Sequence, residues 1–126
     1  PLIGEYDLIV EDGGHECIVD WKTAGAKWSP GKAHQDLQAT AFCYARAKQT
    51  SRSPLFRFDI VTKTRTPYVE SHYTERNEAD FLRFERLAQT IESAVQRDVF
   101  YPNETGFSCA DCPYKTKCRL WHVRKG

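Results

Sequence analysis

Two apolar runs, Leu8-Ile9-Val10 and Cys17-Ile18-Val19, flank Glu11-Asp12-Gly13-Gly14 near the start of the chain. Glycines between short runs rich in β-formers are the mark of a tight antiparallel turn, so residues 2–10 and 17–22 are predicted to form a β-hairpin. Residues 24–32 carry Gly25, Ser29, Pro30 and Gly31 and read as a loop. From Ala33 to Lys48 the spacing changes to three and four, with Leu37, Ala41, Tyr44, Ala45 and Lys48 on one stripe, which predicts a helix. Its alanines favour that state and let it approach a sheet closely. Ser51-Arg52-Ser53-Pro54 ends it. Phe56 to Lys63 alternates and is rich in β-formers, a turn follows over residues 64–67, and Tyr68 to Tyr73 returns as a second hairpin. The longest periodic segment, residues 77–97, places Phe81, Phe84, Leu87, Ala88, Ile91 and Val95 on one helical stripe. Residues 98–108 are irregular. The order ββαββα predicts an α+β, mixed α/β layer fold.

The 126 residues leave room for one modest core, and 40% hydrophobic with 28% charged residues is ordinary for a globular protein. No apolar run reaches membrane-spanning length and no signal-peptide pattern opens the chain, so a membrane-embedded or secreted class is not expected. The expected setting is the reducing cytoplasm. A formal charge of +1 does not mark a polyanion-binding protein as a whole. Locally, Lys22, Lys27 and Lys32 cluster after the first hairpin, and Lys115, Lys117, Arg119, Arg124 and Lys125 crowd the end. Such clusters suit phosphate contacts or an ordinary solvated surface equally well. Pro1-Leu2-Ile3-Gly4 leads straight into a strand, so the chain is expected to be a piece of a longer protein.

The candidate chemistry sits on the first hairpin. Alternate residues of a strand share a face, so Asp20 and Lys22 project to one side and Asp7 can lie across from them. Carboxylates with a backbone carbonyl form the oxygen donor set that Mg²⁺ or Mn²⁺ prefers. A lysine beside them can orient water, and the group as a whole suits metal-assisted phosphodiester hydrolysis. The competing reading is an acid and a lysine on the rim of a solvated sheet. A second centre lies in Cys109-x-x-Cys112-x5-Cys118, whose spacing lets thiolates converge on one metal. His122 would complete a Cys3His zinc set, and a disulfide is a third option. Thiolates do not suit Mg²⁺, so this centre is structural rather than hydrolytic. Cys17 and Cys43 read as small buried hydrophobes.

Gly4-x-x-Asp7, the hairpin, and Ile18-Val19-Asp20-Trp21-Lys22-Thr23 together resemble the active-site core of the PD-(D/E)xK nucleases. More narrowly they resemble RecB-type exonuclease domains, found in CRISPR-associated and phage recombination exonucleases. The resemblance implies a restriction-endonuclease-like core, with Asp7, Asp20 and the Trp21 carbonyl holding Mg²⁺ or Mn²⁺ and Lys22 assisting catalysis. The family's Gln-x-x-x-Tyr helix motif is met at Gln38, whereas Phe42 stands at the tyrosine position. Phe107 to Cys118 resembles the cysteine segment of the iron–sulfur subgroup, which implies that Cys109, Cys112 and Cys118 join an upstream cysteine around a [4Fe–4S] cluster. The expected organisation is a nuclease core over residues 1–108, lacking upstream helices, and a cysteine module over residues 109–126 packed on it. The expected function is a DNA exonuclease of recombination or repair, with DNA and protein partners of a recombination complex. The alternative is a catalytically inactive nucleic-acid-binding or assembly module on the same fold.

Overall fold

The computed structural model describes residues 3–99, 106–121 and 123. Strands β1 (Leu8–Asp12) and β2 (His15–Ala24) pair antiparallel in a register running from Leu8↔Val19 to Asp12↔His15. Gly13 and Gly14 close the hairpin with φ of 59° and 81°, both in the left-handed region that a twist-matched two-residue turn requires.

The predicted single helix is two. α1 (Lys32–Gln35) and α2 (Leu37–Thr50) are separated by Asp36, whose backbone is extended at φ −74°, ψ 122°. Its carboxylate accepts the backbone N–H groups of Gln38 and Ala39, so the short acidic side chain caps a new helix instead of continuing the old one. The buried stripe of α2 also differs from the predicted one. Ala39 and Cys43 are fully buried, whereas Leu37, Ala45 and Lys48 are exposed. Small residues face the sheet because close approach of the helix leaves space only for them.

After α2 the chain re-enters the sheet as β3 (Leu55–Thr62), parallel to β2, and returns antiparallel as β4 (Val69–Thr74). The sheet order is β1-β2-β3-β4. One face of the sheet, through Ile18, Phe56, Phe58 and Ile60, packs with Ala33, Ala39, Cys43 and Phe81 in one core cluster. This is the mixed α+β layer arrangement expected. Helix α3 (Glu78–Gln96) follows, and its stripe is buried at Phe81 but exposed at Leu87, Ile91 and Val95.

The chain divides into two compact units, residues 1–88 and 89–126, a division that falls within α3. The second contains a 3₁₀ turn, Phe107–Cys109, and helix α4 (Lys115–Trp121). No helix among the described residues is long and apolar enough to cross a membrane.

Candidate active site

β2 carries two kinds of face. Ile18, Asp20 and Lys22 share the side that β3 continues with Phe56, Phe58 and Ile60, because parallel neighbours in register point the same way. Asp20 therefore projects toward the layer occupied by α2 and is only 3% exposed. A carboxylate so buried needs compensation, and two side chains supply it. Gln38 Nε2 donates to Asp20 Oδ1 at 2.8 Å, and Lys22 Nζ lies 2.5 Å from Oδ2. Oδ2 has no conventional hydrogen bond besides that ion pair, so it keeps acceptor capacity. Lys22 is about one-third exposed, with side-chain accessibility of 34%, and so bridges the buried acid and solvent.

Asp7 joins the site through the backbone. Continuing the hairpin register beyond Leu8↔Val19 would set Tyr6 against Trp21. Instead the Trp21 N–H donates to Asp7 Oδ2 at 2.9 Å, so a side chain takes over the ladder position. The N–H and C=O of one strand residue leave toward the same neighbouring strand, which puts the Trp21 carbonyl on the Asp7 side of β2. The Trp21 ring itself is 57% exposed.

Gly4 is explained by contact rather than by backbone freedom. A Cβ built there would come within 2.8 Å of Phe42 Cε1. The Phe42 ring also packs edge-on against Tyr6 at 5.2 Å and lies 6.3 Å from Phe56. Phe42, standing where the resembled motif has tyrosine, thus seats the segment that leads to Asp7. Tyr44 does not substitute for a hydroxyl there, because its OH donates to Glu85 on α3 at 2.6 Å.

Asp20 is in direct contact with both Lys22 and Gln38, and Asp7 is latched to Trp21, the residue between Asp20 and Lys22. Two carboxylates and a carbonyl are hard oxygen donors of the kind a divalent cation takes, and Asp20 Oδ2, which faces the Lys22 ammonium, forms no hydrogen bond besides that ion pair. Among the described residues no group of three or more His, Cys, Asp or Glu is arranged to hold a metal, so a cation here would draw on the carbonyl and on water.

Several neighbouring residues belong to no motif in the sequence. The Trp28 N–H donates to Glu70 Oε1 at 3.0 Å, and its ring packs on Phe58 and His72 while Lys32 Nζ lies 4.2 Å above it. The Trp28 N–H, and then His72, hold the Glu70 carboxyl below its ordinary value. His34, of α1, pairs with Thr74 Oγ1 of β4 at 2.9 Å. Arg76 is 6% exposed and makes no ion pair among the described residues. The Trp28–Glu70 and His34–Thr74 contacts carry no spacing signal, since each joins elements far apart in sequence.

In the second unit Cys109, Cys112 and Cys118 are each of intermediate burial. His122, the fourth member of the alternative zinc set, lies outside the described residues.

A family model described as the PD-(D/E)XK nuclease superfamily matches residues 1–119. No curated protein and no solved structure matches the chain.

Proposed function

The chain belongs to the PD-(D/E)XK nuclease superfamily, and from that membership we propose that it is a Mg²⁺- or Mn²⁺-dependent DNA exonuclease of RecB type, acting in recombination or repair. The observation that carries this reading is the buried Asp20 carboxylate, held by Gln38 and Lys22 beside an Asp7 latched to the Trp21 backbone. Asp7, Asp20 and the Trp21 carbonyl are the oxygens that would hold the cation. Such an ion supplies Lewis-acid polarisation of a phosphoryl oxygen and lowers the pKa of bound water. Gln38 fixes the rotation of the Asp20 carboxylate, since its amide occupies one oxygen and leaves the other directed at Lys22. Lys22 places a positive charge at the solvent edge of the site, where it can orient water and offset negative charge developing on phosphate.

The order Gly4–Asp7, Asp20-Trp21-Lys22, Gln38 and the three cysteines supports the RecB-type, iron–sulfur subgroup. In this reading residues 1–108 are the nuclease core and residues 109–126 a cysteine module. Cys109, Cys112 and Cys118 ligate a [4Fe–4S] cluster in the intact protein, with Zn²⁺ and His122 as the alternative.

The test is cleavage of linear and circular DNA, single- and double-stranded, with Mg²⁺ or Mn²⁺. Asp20→Ala and Lys22→Ala should each abolish turnover while leaving the circular dichroism spectrum intact. Undiminished cleavage by both variants would remove these residues from the mechanism. DNA binding without metal-dependent turnover by the unaltered protein would favour the inactive-module reading. Brown, iron- and sulfide-containing protein from anaerobic purification supports the cluster, and colourless zinc-loaded protein reverses that assignment.

A further inference from the structure

Arg76 follows β4 and points its guanidinium into the corner between α1 and α2. Nε donates to Thr40 Oγ1 at 2.7 Å. One terminal nitrogen reaches Thr74 Oγ1 and its neighbour's carbonyl, that of Glu75. The other donates to the carbonyls of Ala33 and Asp36 at 3.1 and 3.0 Å. The whole donor fork is therefore spent on neutral oxygens, in a residue only 6% exposed. An arginine this buried and without a carboxylate partner is uncommon, and here the fork geometry accounts for it. A planar guanidinium can join two helix-corner carbonyls, a helix hydroxyl and a strand hydroxyl at once.

The corner it holds is the one from which Gln38 emerges. Asp36 gives its carbonyl to Arg76 and its carboxylate to the N–H groups of Gln38 and Ala39. Thr40, two residues after Gln38, is held at its hydroxyl. From that fixed first turn, Gln38 Nε2 reaches Asp20 Oδ1. We propose that Arg76 is a positioning residue for the metal-binding carboxylate: it welds the start of α2 to the end of β4 and so sets the reach of Gln38 onto Asp20. This rests on the nuclease reading for its consequence in metal binding, but not for the geometry itself.

Two measurements on the full chain test it. The first uses metal-free protein: the side-chain amide resonance of Gln38 in ¹⁵N-labelled Arg76→Lys should move toward its position in Asp20→Ala. The second is Mn²⁺ binding, followed by the loss of the free-ion electron paramagnetic resonance signal. Arg76→Lys should weaken it about tenfold, as outer-layer partners of metal ligands do. In a Gln38→Ala background the same change should cost nothing further, because the path runs through Gln38. Thr40→Val removes one acceptor of the fork while keeping the side-chain shape. It should give a smaller effect with the same dependence on Gln38, and it carries the test if Arg76→Lys does not fold. An unmoved Gln38 resonance overturns the proposal, as does a loss of Mn²⁺ affinity that persists in full without Gln38. If the unaltered protein shows no Asp20-dependent Mn²⁺ binding, the nuclease reading falls and the metal consequence with it. The Gln38 resonance then still reports on the geometry, so the two failures are distinguishable.

Discussion

Replacing Gly4 by alanine isolates a contact that decides the seating of Asp7. Gly4 does not occupy the left-handed backbone region, so its conformation alone would accept alanine. On that ground the substitution should stabilise the protein by about 0.4–1 kcal/mol, through a less flexible unfolded chain. The space around it argues the other way. The new Cβ would lie 2.8 Å from Phe42 Cε1. Ordinary carbon–carbon contacts fall at about 3.5–4.0 Å, so the overlap is roughly 1 Å. The ring cannot simply swing aside, because Tyr6 and Phe56 pack against it. Overpacking of this kind costs about 1–3 kcal/mol, which exceeds the entropic gain and leaves a net loss of about 1–2 kcal/mol. In melting temperature that is a fall of roughly 4–10 °C. Urea unfolding monitored by circular dichroism gives the number, and the double variant with Phe42→Leu gives its cause, since leucine lacks the ring carbon that Gly4 approaches. In that background Gly4→Ala should be neutral or slightly stabilising. If Gly4→Ala alone is as stable as the parent, or if its cost is unchanged beside Leu at 42, the contact is not what demands glycine. Relief of the overlap by lifting the segment would also loosen the Asp7–Trp21 hydrogen bond, so metal-dependent cleavage should fall in the single variant and recover in the double.

The remaining predictions concern charge and thiols. The folded-state pKa of Glu70 is lowered by the Trp28 N–H and then by His72, with Lys27 adding to the effect. Its contribution to stability is therefore present above the ordinary carboxylate value of 4.5 and lost as pH falls through the lower folded value. Glu70→Gln should lower the urea midpoint at neutral pH and flatten its decline on acidification; an unchanged acid profile would count against this pairing. Burial pushes the Cys43 thiol up to about 12, and burial raises Cys17 as well. Iodoacetamide at mildly alkaline pH should label Cys109, Cys112 and Cys118 of metal-free folded protein and reach Cys17 and Cys43 only on unfolding, as read by peptide mass spectrometry. Rapid native labelling of Cys43 would contradict its burial.

Much of this architecture is written in local spacing. The Gly13-Gly14 turn, the alternation through β3 and the three-to-four spacing of α3 each need only a few neighbouring residues to be read, because they reflect backbone preferences and, in β3, one buried face. The pairing of Asp20 with Lys22 is legible for the same reason, being a matter of strand period. The break at Asp36 was present in the sequence as a capping residue, yet the surrounding alanines masked it. The buried stripe of α2 differs from the predicted one because hydrophobicity points to Leu37 and Tyr44, whereas a tight helix–sheet approach selects Ala39 and Cys43.

By itself, then, the sequence determined the hairpin, the face shared by Asp20 and Lys22, the Gln38 helix and the cysteine spacing. Only the tertiary structure decided that Asp20 is buried, that Gln38 reaches it across 18 residues of chain, and that Arg76 secures the corner from 40 residues beyond Asp36. It also decided that Gly4 is required by a phenylalanine on another element. The physical reason is range. Periodicity reports which way a side chain faces along its own element, whereas strand pairing and close packing determine which distant side chain it meets, and no repeat in the chain encodes that distance.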